Sequence, residues 1–130
     1  KKLILFLMLV ISVNSFAERE RRVFISFSMP EQLLNQTLAS AEKTHVTAVL
    51  NGLVDDDMRK TFSMLFELSK KHPALNIQFD PTAFKKYGID RVPALVVSDD
   101  SRFDVVFGNL AIEDGLSLIK ERGDLKGKSL

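Results

Sequence analysis

Cysteine is the most informative absence in this sequence of 130 residues, which also has no tryptophan, no internal repeat and no low-complexity tract. A chain without thiols forms no disulfide, offers no thiolate to a metal ion and cannot perform thiol–disulfide exchange. Its fold must therefore be stabilised by packing alone. Catalysis by a thiol nucleophile is excluded for these residues.

Long hydrophobic runs are also scarce, and the one present lies at the start of the sequence. Two lysines precede an apolar run from Leu3 to Ile11, and small side chains lead to Ala17. This pattern is typical of a cleavable secretory signal peptide over residues 1–17, with the exported chain beginning at Glu18. The run is about half of the ~20 apolar residues that span a bilayer. We therefore expect a periplasmic protein with no stable membrane insertion after cleavage.

A strong charge of one sign is missing as well. Cleavage would remove Lys1 and Lys2 from 18 basic residues and leave 16 against 17 acidic ones. A nearly neutral chain without a basic face is not expected to bind nucleic acid directly. His45 and His72 have no ligand partners at metal-site spacing, so helix-end or surface roles are expected. The run of three aspartates at 55–57 lacks the glycine and distal glutamate of a calcium loop. We predict no metal and no cofactor.

Hydrophobic periodicity predicts nine elements. Early alternation of strands and helices indicates parallel βαβ units, and two strands around the polar turn at 98–101 indicate an antiparallel hairpin, so an α/β fold with a mixed sheet is expected. The predicted strands lie at 23–28, 46–50, 76–79, 94–97 and 103–107, and the predicted helices lie at 30–43, from 55–57 to 71, after Asp80-Pro81, and from 112 to an end at Gly123.

The second helix receives the most specific prediction. Three aspartates at 55–57 suit the positive end of its macrodipole, and two lysines suit the negative end. Its apolar residues recur at helical spacing, so we predict an inner face of Met58, Phe62, Leu65, Phe66 and Ser69.

Domain boundaries follow from composition. Residues 18–22 alternate in charge and are interpreted as a solvated leader, with a docking patch as the alternative. Residues 23–122 are predicted to form one domain, and residues 123–130 a flexible tail. Within the domain, Phe84 and Tyr87 are the expected anchors of the short third helix, and Gly88 fits the left-handed position after it.

Two segments resemble the thioredoxin superfamily. Residues 87–97 resemble the passage in which a short helix ends and a cis-proline loop precedes an apolar strand, which implies a cis peptide at Val92-Pro93. Residues 27–31 stand where a redox thioredoxin carries Cys-x-x-Cys, with Ser28 and Glu31 in the places of the cysteines. The resemblance implies a thioredoxin-like three-layer α/β/α fold with a mixed sheet of four to five strands.

Residues 22–121 more closely resemble the TrbC family of type-F conjugative transfer pilin assembly proteins. This resemblance implies a periplasmic component of an F-like type IV secretion system that is needed to build the pilus. It also implies protein subunits of that system as partners, often a TraW-type protein. The chain departs from the family pattern at Asn51, where a basic residue is usual. The resemblance is carried by Val23 to Pro30, Leu50 to Leu53, Phe79-Asp80-Pro81, Phe84 and Val92-Pro93-Ala94.

The segment from Ser28 to Glu31 has a structural and a functional interpretation. Ser-x-x-Glu is a capping box, although Met29 could instead cap the helix with Pro30 at its first position. In a thioredoxin-like fold this segment lies beside the proline loop. An exposed methionine and the backbone before the proline would then bind a partner by apolar contact and strand addition. The predicted partner-binding residues are Ser28, Met29, Pro30, Val92 and Pro93.

Two functions remain open at this point, and neither is enzymatic. The first is a non-catalytic assembly factor that binds secretion-system subunits. The second is a cysteine-free periplasmic chaperone that binds many clients through the proline groove. A hydrolase is disfavoured because neither histidine is placed to activate Ser28.

Overall fold

The computed structural model describes residues 19–109 and 111–123, and these form five strands, four α-helices and one 3-10 turn at Val54–Asp56. The predicted order of elements is confirmed. The expected signal peptide and residues 124–130 of the expected tail lie outside the described residues. The elements are β1 (Glu20–Ile25), α1 (Glu31–Thr44), β2 (Thr47–Leu50), α2 (Met58–Lys71), β3 (Ile77–Phe79), α3 (Pro81–Lys86), β4 (Ala94–Ser98), β5 (Phe103–Phe107) and α4 (Ile112–Arg122).

The sheet is mixed, as predicted, with the strand order β3-β2-β1-β4-β5. Strand β1 is central and runs parallel to β2, which is parallel to β3. Strand β4 is antiparallel to both β1 and β5. Phe24 in β1 is level with Val49 on one side and with Ala94 on the other. The central strands are apolar on both faces because both faces are covered.

One face of the sheet carries the larger core. Helices α1 and α4 contribute Leu38, Ala41, Ile112 and Ile119 to it, and α2 contributes Leu68. Gly115 in α4 allows close packing, because a Cβ there would stand 2.7 Å from a methyl group of Leu95. Three helices therefore share this face.

The opposite face is covered by α3 and the residues that follow it. The rings of Phe24 and Phe84 meet edge to face at 4.8 Å between centroids. Asp80 caps α3 by accepting a hydrogen bond from the Ala83 amide, and Pro81 takes the first helical position. Phe84 and Tyr87 are buried as predicted. The left-handed geometry expected at Gly88 is also confirmed.

The prediction of a solvated charged leader is wrong from Glu20 onward, because strand β1 begins at that residue. The strand also ends at Ile25, rather than at residue 28 as predicted. Arg22 in particular is not solvated, since its side chain is only 13% exposed. Its guanidinium donates hydrogen bonds to Asp80 and to the Tyr87 hydroxyl, and it lies over the Phe24 and Tyr87 rings. The alternating charges of residues 18–22 suggested a solvated segment, whereas the Arg22 side chain contacts aromatic rings and a carboxylate, some of them from distant parts of the chain.

The predicted inner face of α2 is largely wrong. Its buried residues are Thr61 and Leu68, with Leu65 partly buried between them. Phe62 lies one position beyond Thr61, which places it about 100° further around the helix. It therefore faces away from the core, and it remains exposed together with Met58 and Phe66. Helix α2 also starts later than the aspartate run suggests, because Asp57 is its cap.

Candidate functional site

The proline loop is the first component of the site. The peptide bond between Val92 and Pro93 is cis, as the thioredoxin resemblance implied. Ala94 follows in β4 and pairs with Phe24 in β1, which fixes the loop beside the end of the central strand. The Pro93 carbonyl accepts a hydrogen bond of 3.1 Å from the Gly108 amide. The loop is thus held by the two strands that follow it.

The loop after β1 is the second component, and it does not form the predicted capping box. Helix α1 begins at Glu31 with Pro30 as its N-cap residue and has no capping hydrogen bond from a side chain. The alternative with Met29 as the cap is therefore also wrong. The Ser28 hydroxyl instead lies 2.7 Å from the Ser26 hydroxyl, which also accepts the Ser28 amide at 3.1 Å. The Ser28 hydroxyl thus has a local partner and makes no capping hydrogen bond to α1.

A cavity of about 890 Å³ lies between these loops and the one that follows β2. We call it the groove. Its walls come from the ends of β1 and β2, from one side of α2 and from the segment before Pro93. Its lining residues are Ile25, Ser26, Phe27, Ser28, Leu50, Asn51, Gly52, Leu53, Val54, Asp55, Asp56, Lys60, Met64, Phe84, Ile89, Asp90, Arg91 and Val92.

The acidic part of the groove rim has an unusual backbone. Asp55 and Asp56 both have positive φ, at 51° and 53°. Thr61 holds this turn in place, because its buried hydroxyl accepts the Val54 amide at 2.8 Å and donates to the Asp57 carbonyl at 2.7 Å. Asparagine and aspartate adopt left-handed geometry more readily than most residues, so two aspartates suit the turn.

Lys60 lies on the same part of the rim and forms an ion pair with Asp55. The hydrogen bond to Asp55, reinforced by the charge of that carboxylate, raises the pKa of the Lys60 ammonium above its ordinary value. Lys60 therefore stays charged across the physiological range. Asp90 and Arg91 add one charge of each sign on the side of the proline loop, so the rim is polar and mixed in charge.

The five predicted binding residues do not form one surface. Ser28 and Val92 line the groove together. Pro30 is exposed, but it is not among the lining residues, and Pro93 is buried beside Val23 and Leu95. Met29 is only 8% exposed and belongs to the larger core. The expectation of an exposed methionine is therefore wrong, because the turn after β1 points this side chain between α1 and α2.

Sequence reasoning missed the contribution of the loop after β2. Asn51 and Leu53 line the groove, and Asn51 is the position at which the chain departs from the TrbC family pattern. The available signal was topological. Strands β1 and β2 are parallel neighbours, so their carboxyl ends meet at one edge of the sheet, where binding sites of α/β folds form.

The remaining candidates have structural roles. His45 ends α1 in left-handed geometry, and His72 ends α2 with its Nδ1 3.2 Å from a carboxylate oxygen of Glu42. Among residues 19–109 and 111–123, no cluster of three histidine, cysteine or acidic side chains could hold a metal ion. No helix in the same residues is long and apolar enough to cross a membrane.

The fold and the groove define a class of protein, a thioredoxin-like domain with a cis-proline loop and no cysteine in its sequence. A solved structure of MTB DsbF in mixed oxidized and reduced forms matches this chain with a TM-score of 0.52. The match covers 81% of each chain at 17% sequence identity. Likeness at this identity establishes the fold, and the fold is thioredoxin-like.

The family is established by sequence comparison. The family model for type-F conjugative transfer system pilin assembly proteins matches residues 23–119, and this chain belongs to that family. The periplasmic protein TrbC of Escherichia coli (strain K12) is 36% identical over 103 residues. That match covers 79% of this chain and 49% of the relative, so the chain spans about half the length of the curated relative it matches.

Proposed function

We propose that this chain is a non-catalytic periplasmic assembly factor of an F-type conjugative secretion system, and that it binds partner subunits through the groove. Family membership supports the system in which it acts. The name of its relative and the apolar run at 3–11 support the periplasm. The single observation that carries the binding role is the groove of about 890 Å³ beside the cis-proline loop.

The chemistry of the groove favours binding over catalysis. Redox thioredoxins need an attacking thiolate, and Ser28 and Glu31 stand in the corresponding places here. The Ser28 hydroxyl has another hydroxyl, that of Ser26, as its hydrogen-bond partner rather than a general base. A serine without an adjacent base is a weak nucleophile. The purified protein should therefore give only background rates in an insulin reduction assay.

The expected mode of binding is strand addition at the segment before Pro93. Arg91 is exposed and Val92 half-buried, and both line the groove. An extended peptide could pair with their backbone while its side chains contact Leu53 and the polar rim. The predicted partners are subunits of the secretion system, with a TraW-type protein as the first candidate.

The test uses variants of exposed groove residues. Leu53→Glu and Ser28→Arg place charge and bulk in the groove without entering the core, because both positions are exposed. Leu118→Glu is the matched control, since it changes an exposed leucine on α4. Tagged protein would be recovered from the periplasm of conjugating donor cells, and co-purifying subunits identified by mass spectrometry.

We expect the control to retain its conjugation-system partners and both groove variants to lose them, with unchanged thermal unfolding. Retention of the same partners by the groove variants would show that binding occurs elsewhere. Recovery of many unrelated periplasmic proteins by the wild type would favour the general chaperone instead.

A further inference from the structure

Helix α2 presents a row of large apolar side chains to solvent. Met58, Phe62 and Phe66 are spaced by four residues, so they lie along one side of the helix. They are 60%, 59% and 60% exposed. We call these three residues the α2 stripe. Single exposed apolar residues are ordinary, but a contiguous row on one helix is typical of an interaction surface.

The charges around the α2 stripe indicate what could cover it. Three exposed aspartates, Asp55, Asp56 and Asp57, outweigh Arg59 and Lys60 at its amino-terminal end, which carries a net charge of −1. Two exposed lysines, Lys70 and Lys71, outweigh Glu67 at its carboxyl-terminal end, which carries a net charge of +1. A second α2 helix running in the opposite direction would place its lysines beside the aspartates and its aspartates beside the lysines. A parallel copy would place like charges together.

The three residues of the stripe are also spaced symmetrically about Phe62, as a two-fold contact requires. Met58 and Phe66 lie equally far from Phe62, about 6 Å along the axis in each direction. A two-fold axis at Phe62 would set the two Phe62 rings against each other and Met58 of each copy against Phe66 of the other. Lys70 already lies over the Phe66 ring at 4.6 Å, near where Asp55 of the second copy would arrive.

We propose that the α2 stripe is an interface between two copies of this chain, whose α2 helices pack antiparallel about a two-fold axis at Phe62. The contact is isologous, as in most protein dimers. It is also small, because one helix face falls below the ~1,200 Å² that stable interfaces usually bury, so the dimer is weak and depends on concentration. This inference does not rest on the proposed function of the groove.

The first measurement is the mass of the purified protein by sedimentation equilibrium from roughly micromolar to submillimolar concentration. We expect the average mass to rise towards twice that of the monomer. Phe62→Ser with Phe66→Ser should weaken association at least about tenfold, because these side chains form the centre of the contact. Leu118→Ser, on the exposed side of α4, should leave association unchanged. Lys70→Glu with Lys71→Glu should weaken it, because acidic ends would then meet.

The second measurement determines the direction of packing and uses the absence of native cysteine. Ser63 and Ser69 are exposed residues of α2, of which Ser63 flanks the stripe and Ser69 lies on the same side of the helix as the stripe, seven positions beyond Phe62. In the antiparallel dimer the two copies of residue 63 are offset by about 3 Å along the axis, and those of residue 69 by about 21 Å. A short bismaleimide should therefore link Ser63→Cys efficiently and Ser69→Cys poorly.

Equal linking at both positions would overturn the antiparallel arrangement, because a parallel pair keeps both offsets near zero. A monomer at all concentrations, or a dimer that survives Phe62→Ser with Phe66→Ser, would overturn the interface itself. If the wild type is monomeric but the stripe variants lose a different protein from the periplasm, the occupant is that partner and the proposal is wrong.

Discussion

Helices α1 and α2 have the same length, 14 residues, and lie on the same face of the sheet. They differ in the burial of their large apolar side chains. Helix α1 buries Leu34, Leu38 and Ala41. Helix α2 buries Thr61 and Leu68 and exposes the three large residues of the α2 stripe. An amphipathic pattern therefore shows which residues share a side of a helix, but it does not show that the side faces the core.

The largest expected effect concerns the entrance of α1. Met29→Glu should destabilise the protein by about 3–5 kcal/mol, because it places an unpaired charge among buried apolar side chains. This reverses the expectation that follows from an exposed methionine. Urea unfolding would measure the change, and Met29→Leu, which nearly conserves volume, should cost less than about 1.5 kcal/mol. A stable Met29→Glu protein would mean that this side chain can leave the core.

Truncation in the middle of α1 tests its buried side. Leu38 is fully buried, so Leu38→Ala should cost about 2–5 kcal/mol through lost apolar burial and the cavity left behind. Thermal or urea unfolding would report it. A cost below about 1 kcal/mol would indicate that the buried side of α1 contributes little to stability.

The turn before α2 depends on one hydroxyl. Thr61→Val keeps the shape of the side chain but removes the group that joins Val54 to Asp57. We expect a loss of about 1–3 kcal/mol, because the Val54 amide loses its acceptor, whereas the Asp57 carbonyl keeps the Thr61 amide at 3.0 Å. Thr61→Ser should restore most of this stability. If valine and serine behave alike, the hydroxyl does not hold the groove rim.

The smallest effect on stability is expected on the α2 stripe. Phe62→Ser should change the free energy of unfolding by no more than about 0.5 kcal/mol when measured on dilute protein, because the ring is mostly exposed. Chemical denaturation at low concentration provides this value. A loss comparable to that of Leu38→Ala would contradict the contrast between the two helices.

Local sequence signals predicted much of this molecule. Asp80-Pro81 predicted a capped helix, and Gly88 predicted the left-handed residue that follows it. Both predictions were correct because caps and helix ends depend on residues close together in the sequence. The hairpin around residues 98–101 and the alternation of strands and helices gave the mixed sheet. Resemblance, rather than residue physics, supplied the cis bond before Pro93 and the family.

Contacts between distant residues could not be read from the sequence. Helix α4 begins at Ile112 without a capping side chain of its own, and its first amide donates instead to the Ser40 hydroxyl of α1 at 3.1 Å. The same hydroxyl donates to Glu113, and this bond helps to lower the pKa of that carboxyl after the main effect, a backbone hydrogen bond. No local pattern around residue 40 or 112 contains this information.

The sequence by itself determined the order of the helices and strands and their positions to within a few residues, because caps, turns and periodicity act over a few neighbouring residues. Only the tertiary structure decided that Met29 is buried, that Arg22 is largely covered and that Phe62 is exposed. It also brought Ser28, Asn51 and Val92 to one groove. The physical reason is that burial depends on which elements pack together, and that arrangement is set by the whole chain rather than by the residues next to each position.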